Sequence, residues 1–261
     1  MLRSLFFLLG VSFVSWSVEA RAFGVEGLPG SAWVSTSSDL SQIDGVTLQG
    51  NVRQGVRWFS LPWNFSFNSY LSYRWRFRTL NSFYFNEHGP LLGLELTGGT
   101  FSFGIQQEWQ YLSAQERRLS YPSLYLNWFK MKDLLSGGKS VFGIPVLSVP
   151  VWSWGRILDD FQNYEGLGSL GFLSLGVEWF RVVEDFRFRT LASYYWRFRE
   201  KNSLYYNLHG PAVGVELTSR NLVNLGVLYG VETYPGLNRV AHTFRIYLNG
   251  YFDWDLKTPG P

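Results

Sequence analysis

The sequence predicts an all-β chain. Its expected form is a transmembrane antiparallel up-and-down β-barrel of twelve strands from two duplicated six-strand units, with ten strands the alternative count. Three observations carry this: long runs in which apolar and polar residues alternate, a stretch that occurs twice, and connections that alternate between tight and long. The alternation is clearest from Phe65 to Phe77. There the odd positions read Phe65, Phe67, Ser69, Leu71, Tyr73, Trp75 and Phe77, and the even ones Ser66, Asn68, Tyr70, Ser72, Arg74 and Arg76. A period of two puts the two sets on opposite faces of a strand. Soluble strands usually run to roughly 3–10 residues, and a tilted strand that crosses a bilayer needs about 9–11.

The repeated stretch is Ser72–Thr97, SYRWRFRTLNSFYFNEHGPLLGLELT, which recurs 121 positions later as Ser193–Thr218 with 17 of 26 residues identical. The offset holds from Pro29, Trp33 and Asp39 onward and shifts to 122 near Arg220. The copies therefore span about residues 25–136 and 146–256, with Gly137 and Gly138 in the linker. Six strands per copy leave both copies with the same orientation, whereas five would invert the second.

Taken in order, the first strand of each copy is weak and short, at residues 31–37 and 149–158. Val46–Ser60 sets Val46, Leu48, Val52, Val56 and Trp58 against Thr47, Gln49, Asn51, Arg53 and Arg57. Residues 64–78 form the third strand. Leu91–Thr97 opposes Leu92, Leu94 and Leu96 to Gly93 and Glu95, and Phe101–Tyr111 follows. The sixth covers residues 123–132. Its counterpart sets Phe244, Ile246, Leu248, Phe252 and Trp254 against Arg245, Tyr247, Asn249 and Tyr251. Connections at residues 61–63 and 98–99 are tight, while those at 79–90, 113–122, 200–210 and 234–241 are expected to be long.

The amino terminus reads as a secretory signal peptide over residues 1–22: a basic start, an apolar run from Leu5 to Trp16, and small residues for cleavage. Residues 23–261 then form one barrel domain. Beyond that leader no apolar span approaches the roughly 20 residues of a membrane helix. Aromatics at 19% against charges at 16% fit two-faced strands. The net charge of +3 is too small to argue for nucleic acid, and the lack of cysteine removes disulfides and thiolate metal sites.

With signal peptide, even strand number, aromatic strand ends and a last strand containing Tyr251, Phe252 and Trp254, the chain resembles the bacterial outer-membrane β-barrel class, porins among them. That resemblance implies residence in the cell outer membrane and contact with its lipid. It identifies no single family.

The candidate binding residues share the polar face. They are Arg53, Arg57, Arg74, Arg76, Arg78 and Glu95 from the first copy and Arg187, Arg189, Arg197, Arg199, Glu216 and Arg245 from the second. An arginine on the lipid side near the midplane costs about 2–4 kcal/mol, so this face is expected to line the lumen. Rows of guanidinium groups suit passage or binding of small anionic or saccharide solutes. Tyr70, Tyr125, Tyr195 and Tyr247 are placed to stack on sugar rings. The same face carries Glu95, Glu108, Glu178, Glu216 and Glu232, which offer a competing outcome, an ion-paired interior. In that case the chain is a closed structural barrel serving a surface or export complex.

A third reading, a lipid-modifying enzyme, starts from the Asn-x-His-Gly-Pro segments, where His88 and His209 follow Ser82 and Ser203. General-base chemistry needs those groups within hydrogen-bond reach. The Gly-Pro after each histidine reads more simply as a turn, so no enzyme activity, cofactor or metal is expected. His242 has no evident partner in the sequence. Trp58, Trp63, Trp75, Trp109, Trp128, Trp154, Trp179, Trp196 and Trp254 are expected in the interfacial belt or facing lipid.

Overall fold

The computed structural model describes residues 26–130, 140–141, 144–162, 164–183, 186–219 and 223–252. The leader expected at residues 1–22 and the end of the chain, with Trp254, lie outside the described residues. Twelve strands close into one barrel: β1 (Glu26–Asp39), β2 (Val46–Leu61), β3 (Phe65–Arg78), β4 (Glu87–Thr97), β5 (Phe101–Leu112), β6 (Arg117–Lys130), β7 (Val151–Asp159), β8 (Leu167–Val183), β9 (Phe186–Arg199), β10 (Leu208–Ser219), β11 (Val223–Tyr234) and β12 (Arg239–Phe252). Each pairs antiparallel with its sequence neighbours, β6 with β7 across the linker, and β1 closes on β12 from Gly30↔Phe252 to Asp39↔Thr243. Closure pairs every edge, which is what a sheet in hydrocarbon requires.

The strands run from 9 residues in β7 to 17 in β8. Their outward positions are apolar around the whole circumference. Leu48 and Val52, Leu71 and Phe77, Leu92 and Leu94, and Phe103 and Ile105 are all exposed. So are Leu126 and Trp128, Leu173 and Leu175, Val213 and Val215, and Phe244 and Ile246. A continuous exposed apolar band of this kind is stable only against lipid. At the end that carries the start of β1 and the end of β12 the connections are short apart from the β6–β7 linker, and aromatic side chains gather there. Trp58 donates from Nε1 to Ser69 Oγ at 2.9 Å beside a bulge, and Trp179 repeats this with Thr190 Oγ1 at 2.9 Å. Phe59 stacks on Phe67 and Phe180 on Phe188 next to them. Short turns and both chain ends mark the periplasmic side of such a barrel, so the opposite loops face outward.

Several boundaries differ from the sequence reading. β1 reaches from Glu26 to Asp39 because a bulge between Leu28 and Ser31 lets its glycine-rich start stay paired. β6 begins at Arg117 and β12 at Arg239, so those outer loops are only residues 113–116 and 235–238. Pro122, placed at the end of a long connection in the sequence, sits within β6 opposite Gln107. The His-Gly-Pro segments are strand, not turn: His88–Pro90 opens β4 and His209–Pro211 opens β10. There the backbones approach too closely for a side chain. A Cβ on Gly89 would meet Trp109 O at 1.7 Å, and one on Gly210 would meet Val231 O at 1.8 Å.

Candidate functional site

All twelve predicted polar-face residues occupy the wall opposite the exposed apolar set. Two residues along the strand restore a side, and partners in register share it. Thus Arg53, Ser72 and Leu91 face the interior together, as do Asn51, Arg74 and Gly89. On β2 and β3 side-chain exposure falls toward the outer end: Arg57 37%, Arg53 30%, Arg74 21%, Arg76 8% and Arg78 4%. The interior holds a cavity of about 1500 Å³.

Acidic partners occupy much of the lumen. Glu95 holds Arg53 at 3.1 Å and accepts from Tyr125 Oη at 2.6 Å. Glu178 binds Arg187 at 3.0 Å and Arg189 at 2.6 Å, and Arg189 also reaches Glu216 at 2.9 Å. Glu108 lies between Arg74 and Arg156, and Glu232 lies 3.7 Å from Arg245. Parity alone placed these carboxylates inside. Arg156, absent from the predicted set, belongs with them, and its signal was the alternation Trp152, Trp154, Arg156, Leu158 along β7.

The same parity corrects the expectation for Trp154. It faces the lumen with Trp33 and Trp152, its ring 6.3 Å from Phe172, because Arg156 two residues on is fixed inside by Glu108. Inward tyrosines lie flat across glycines of the neighbouring strand. Tyr70 covers Gly93, Tyr125 covers Gly104 and Tyr247 covers Gly226, each leaving under 2.6 Å for a Cβ. The glycine lets the ring lie down, and the hydroxyl then reaches a carboxylate: Glu95 for Tyr125, Glu216 for Tyr247.

The outer end is closed by side chains from the loops. The connection from β3 to β4 contains one helical turn, α1 (Ser82–Phe85), and it folds inward so that Phe85 is 1% exposed. Its counterpart 121 residues on, Tyr206 in the β9–β10 loop, is also buried and stacks on Phe85 with ring centroids 6.2 Å apart. Arg78 lies 4.4 Å over the Phe85 ring, and Arg197 and Arg199 lie 4.5 and 4.1 Å over Tyr206. Cation–π contact of this kind ties the loops to the strand arginines.

Arg78 is further held by Asp44 at 2.7 Å, and Arg199 is paired with Glu165. Burial pushes the Glu165 carboxyl up, against the pull of Arg199 and the Tyr121 hydroxyl. The backbone of each arginine is pinned as well: Arg78 N donates to Asn86 Oδ1 at 2.6 Å and Arg199 N to Asn207 Oδ1 at 2.7 Å. Two apolar clusters complete the closure, Ile43, Leu208, Tyr234 and Ala241 on one side and Leu112, Leu119, Tyr121 and Leu158 on the other.

The histidines lie elsewhere, on the outer wall near the loop end. His88 Nδ1 bonds Tyr73 Oη at 2.7 Å, His209 bonds Tyr194 at 2.7 Å, and His242 has its partner in Tyr229 at 2.6 Å. These pairs belong to an aromatic girdle with Phe77, Tyr111 and Phe198. Among the described residues no cluster of three or more potential ligands is placed to hold a metal ion.

No family model matches the chain, and no curated protein matches it in sequence. Several solved structures share the architecture. The β domain of the Bordetella autotransporter BrkA is 12% identical, covering 86% of this chain and 99% of that one, with a TM-score of 0.45. The NanC porin is 11% identical over 85% of this chain and 100% of its own, with a TM-score of 0.42. LpxR from Salmonella typhimurium is 11% identical, covering 85% and 100%, with a TM-score of 0.45. At such identities the likeness is one of fold. The chain is an outer-membrane β-barrel, a statement that rests on its closed sheet and its apolar girth.

Proposed function

We propose that this barrel binds small anionic or saccharide solutes in a cavity entered from the periplasm. Passage across the outer membrane then requires the Phe85–Tyr206 stack to move aside. The observation that carries this reading is the exposure gradient of the arginines on β2 and β3 that line a cavity of about 1500 Å³, from 30% at Arg53 to 4% at Arg78. Twelve strands lie between the filled interior of eight and the aqueous pore of sixteen. Here loop side chains fill the outer end, and the Glu178, Arg187, Arg189 and Glu216 cluster fills part of the wall toward the other end. Below, tyrosine and tryptophan rings alternate with guanidinium groups, which suits a sugar ring bearing a carboxylate or phosphate. The proposal assigns no catalytic step, since all three histidine rings are engaged by tyrosine hydroxyls on the lipid side.

The test is conductance in planar bilayers. Wild-type barrel is expected to show little current, and the Phe85→Ala, Tyr206→Ala double variant an anion-selective one, several times larger. A double variant that folds yet stays silent would overturn the passage reading. That result would favour the other use of this geometry, a closed barrel acting as the membrane part of a surface or export complex. The interior ion pairs Arg189–Glu178, Arg189–Glu216 and Arg156–Glu108 support that alternative.

A further inference from the structure

We propose that Arg76 and Arg197 form an oxyanion site at the closed head of the cavity, beside the Phe85–Tyr206 stack. It would take a carboxylate or phosphate group carried by a small solute. The inference rests on the solute-binding reading above and names where, and by which chemical group, the solute is held.

Most lumen arginines have a carboxylate partner; Arg197 has none among the described residues, and Arg76 has only one that it shares. Arg197 has no carboxylate oxygen within 4.0 Å among the described residues. Its Nε donates to the Tyr206 carbonyl at 2.9 Å, and its buried Nη2 has no hydrogen-bond partner. Arg76 is 7% exposed and has only Glu87, at 3.1 Å, which it shares with Arg74 at 3.3 Å. Its Nε is buried without a partner, and the Glu87 contact at Nη1 is ionic without hydrogen-bond alignment. Arg74 does not release Glu87, because its other carboxylate, Glu108, is also held by Arg156 at 2.5 Å.

The two guanidinium groups also repel each other, and Arg197 repels Arg78, while Asp44 and Glu232 draw on Arg197 from beyond ion-pair distance. Burying a weakly paired charge is unfavourable, and an orphaned buried donor adds to that cost. A two-oxygen anion set between them removes both costs. It accepts from Arg197 Nη2 on one side and Arg76 on the other, in charge-assisted bonds for which the planar fork is shaped. Both residues line the same cavity, with buried Leu208 opposite Arg197. They are also the same position in the two copies, Arg76 and Arg197 being 121 residues apart. Their meeting at the head of the cavity therefore builds one site from two halves of the chain.

The experiment is calorimetric titration of the full folded barrel in zwitterionic detergent with inorganic phosphate, glucuronate and neutral glucose. Saturable binding of phosphate or glucuronate, and none of glucose, is expected. The preferred anion tells a phosphate source from a carboxylate one. Affinity should fall about tenfold or more in Arg197→Met and Arg76→Met, recover in part in Arg197→Lys, and stay unchanged in the rim variant Arg239→Met. Arg197→Met is the decisive variant, since it breaks no ion pair and its folding is checked by the heat-modified gel shift. Absence of saturable binding in the wild type would overturn the site, as would affinity unchanged in both methionine variants. Unchanged affinity with an anion-selective opened barrel refutes only the site. Arginine-dependent binding with a silent opened barrel refutes only passage.

Discussion

At Gly104 the ring of Tyr125 lies where a methyl group would be, 2.5 Å from an ideal Cβ, and that contact aims the hydroxyl at Glu95. Gly104→Ala should lift the ring, break the 2.6 Å bond and leave Glu95 to Arg53 and Thr97. The expected loss is about 1–3 kcal/mol from the severed bond to a buried charge, read as a lower urea midpoint of the folded barrel in detergent. Gly104→Ala should still destabilise a Tyr125→Phe barrel, because the methyl meets the ring carbon Cζ at 2.5 Å and the Leu94 carbonyl oxygen at 2.6 Å. The side each residue faces was legible in the sequence, because parity is a property of two neighbouring positions. The glycine–tyrosine match was not, since Gly104 and Tyr125 become neighbours only once β5 and β6 pair in register.

At the scale of single elements, the outer turns are built by carboxylates that accept from backbone. Asp39 accepts from Ser41 N at 2.7 Å, Ile43 N at 2.5 Å and Asp44 N at 2.9 Å. Asp160 does the same for Gln162, Tyr164 and Glu165 at 2.9, 2.6 and 2.7 Å. These turns present Asp44 to Arg78 and Glu165 to Arg199, so they set the closure of the barrel as well as the chain reversal. Asp39→Ala should cost about 2 kcal/mol or more and raise the wild-type current, with a smaller effect than removal of the Phe85 and Tyr206 rings. Asp39→Asn, which keeps one acceptor, should fall between. Sequence reading found the strands on either side but misread the entry to β4 and β10 as turn. Gly-Pro is a turn signal wherever backbone is free. Beside a strand whose carbonyl approaches within 1.7 Å of a Cβ position, glycine is instead demanded by proximity, and proline sits at a gap in the β4–β5 pairing.

For the whole molecule the decisive quantity is the match between outward side chains and hydrocarbon. An even number of strands puts the start of β1 and the end of β12 on one side, and the short turns there, the β6–β7 linker apart, mark it as periplasmic. The chain has no cysteine, which makes orientation directly measurable. A cysteine replacing Ala114, in an outer loop, should react with a membrane-impermeant maleimide on intact cells. One replacing Gly99, where nothing lies within 4 Å, should react only after the outer membrane is permeabilised. The opposite pattern would invert the cavity and end the proposal of periplasmic entry.

The sequence by itself determined that the strands have one greasy and one arginine-bearing face, that a six-strand pattern occurs twice, and hence that the guanidinium groups face inward. Each of these depends on residues a few positions apart or on a fixed offset. The tertiary structure decided which charges cancel, that Phe85 and Tyr206 meet to close the outer end, and that Arg76 and Arg197 are left under-paired beside them. Those outcomes depend on distances across a lumen. They are set jointly by strand number, register and loop path around a closed ring, and no local stretch of chain contains that information.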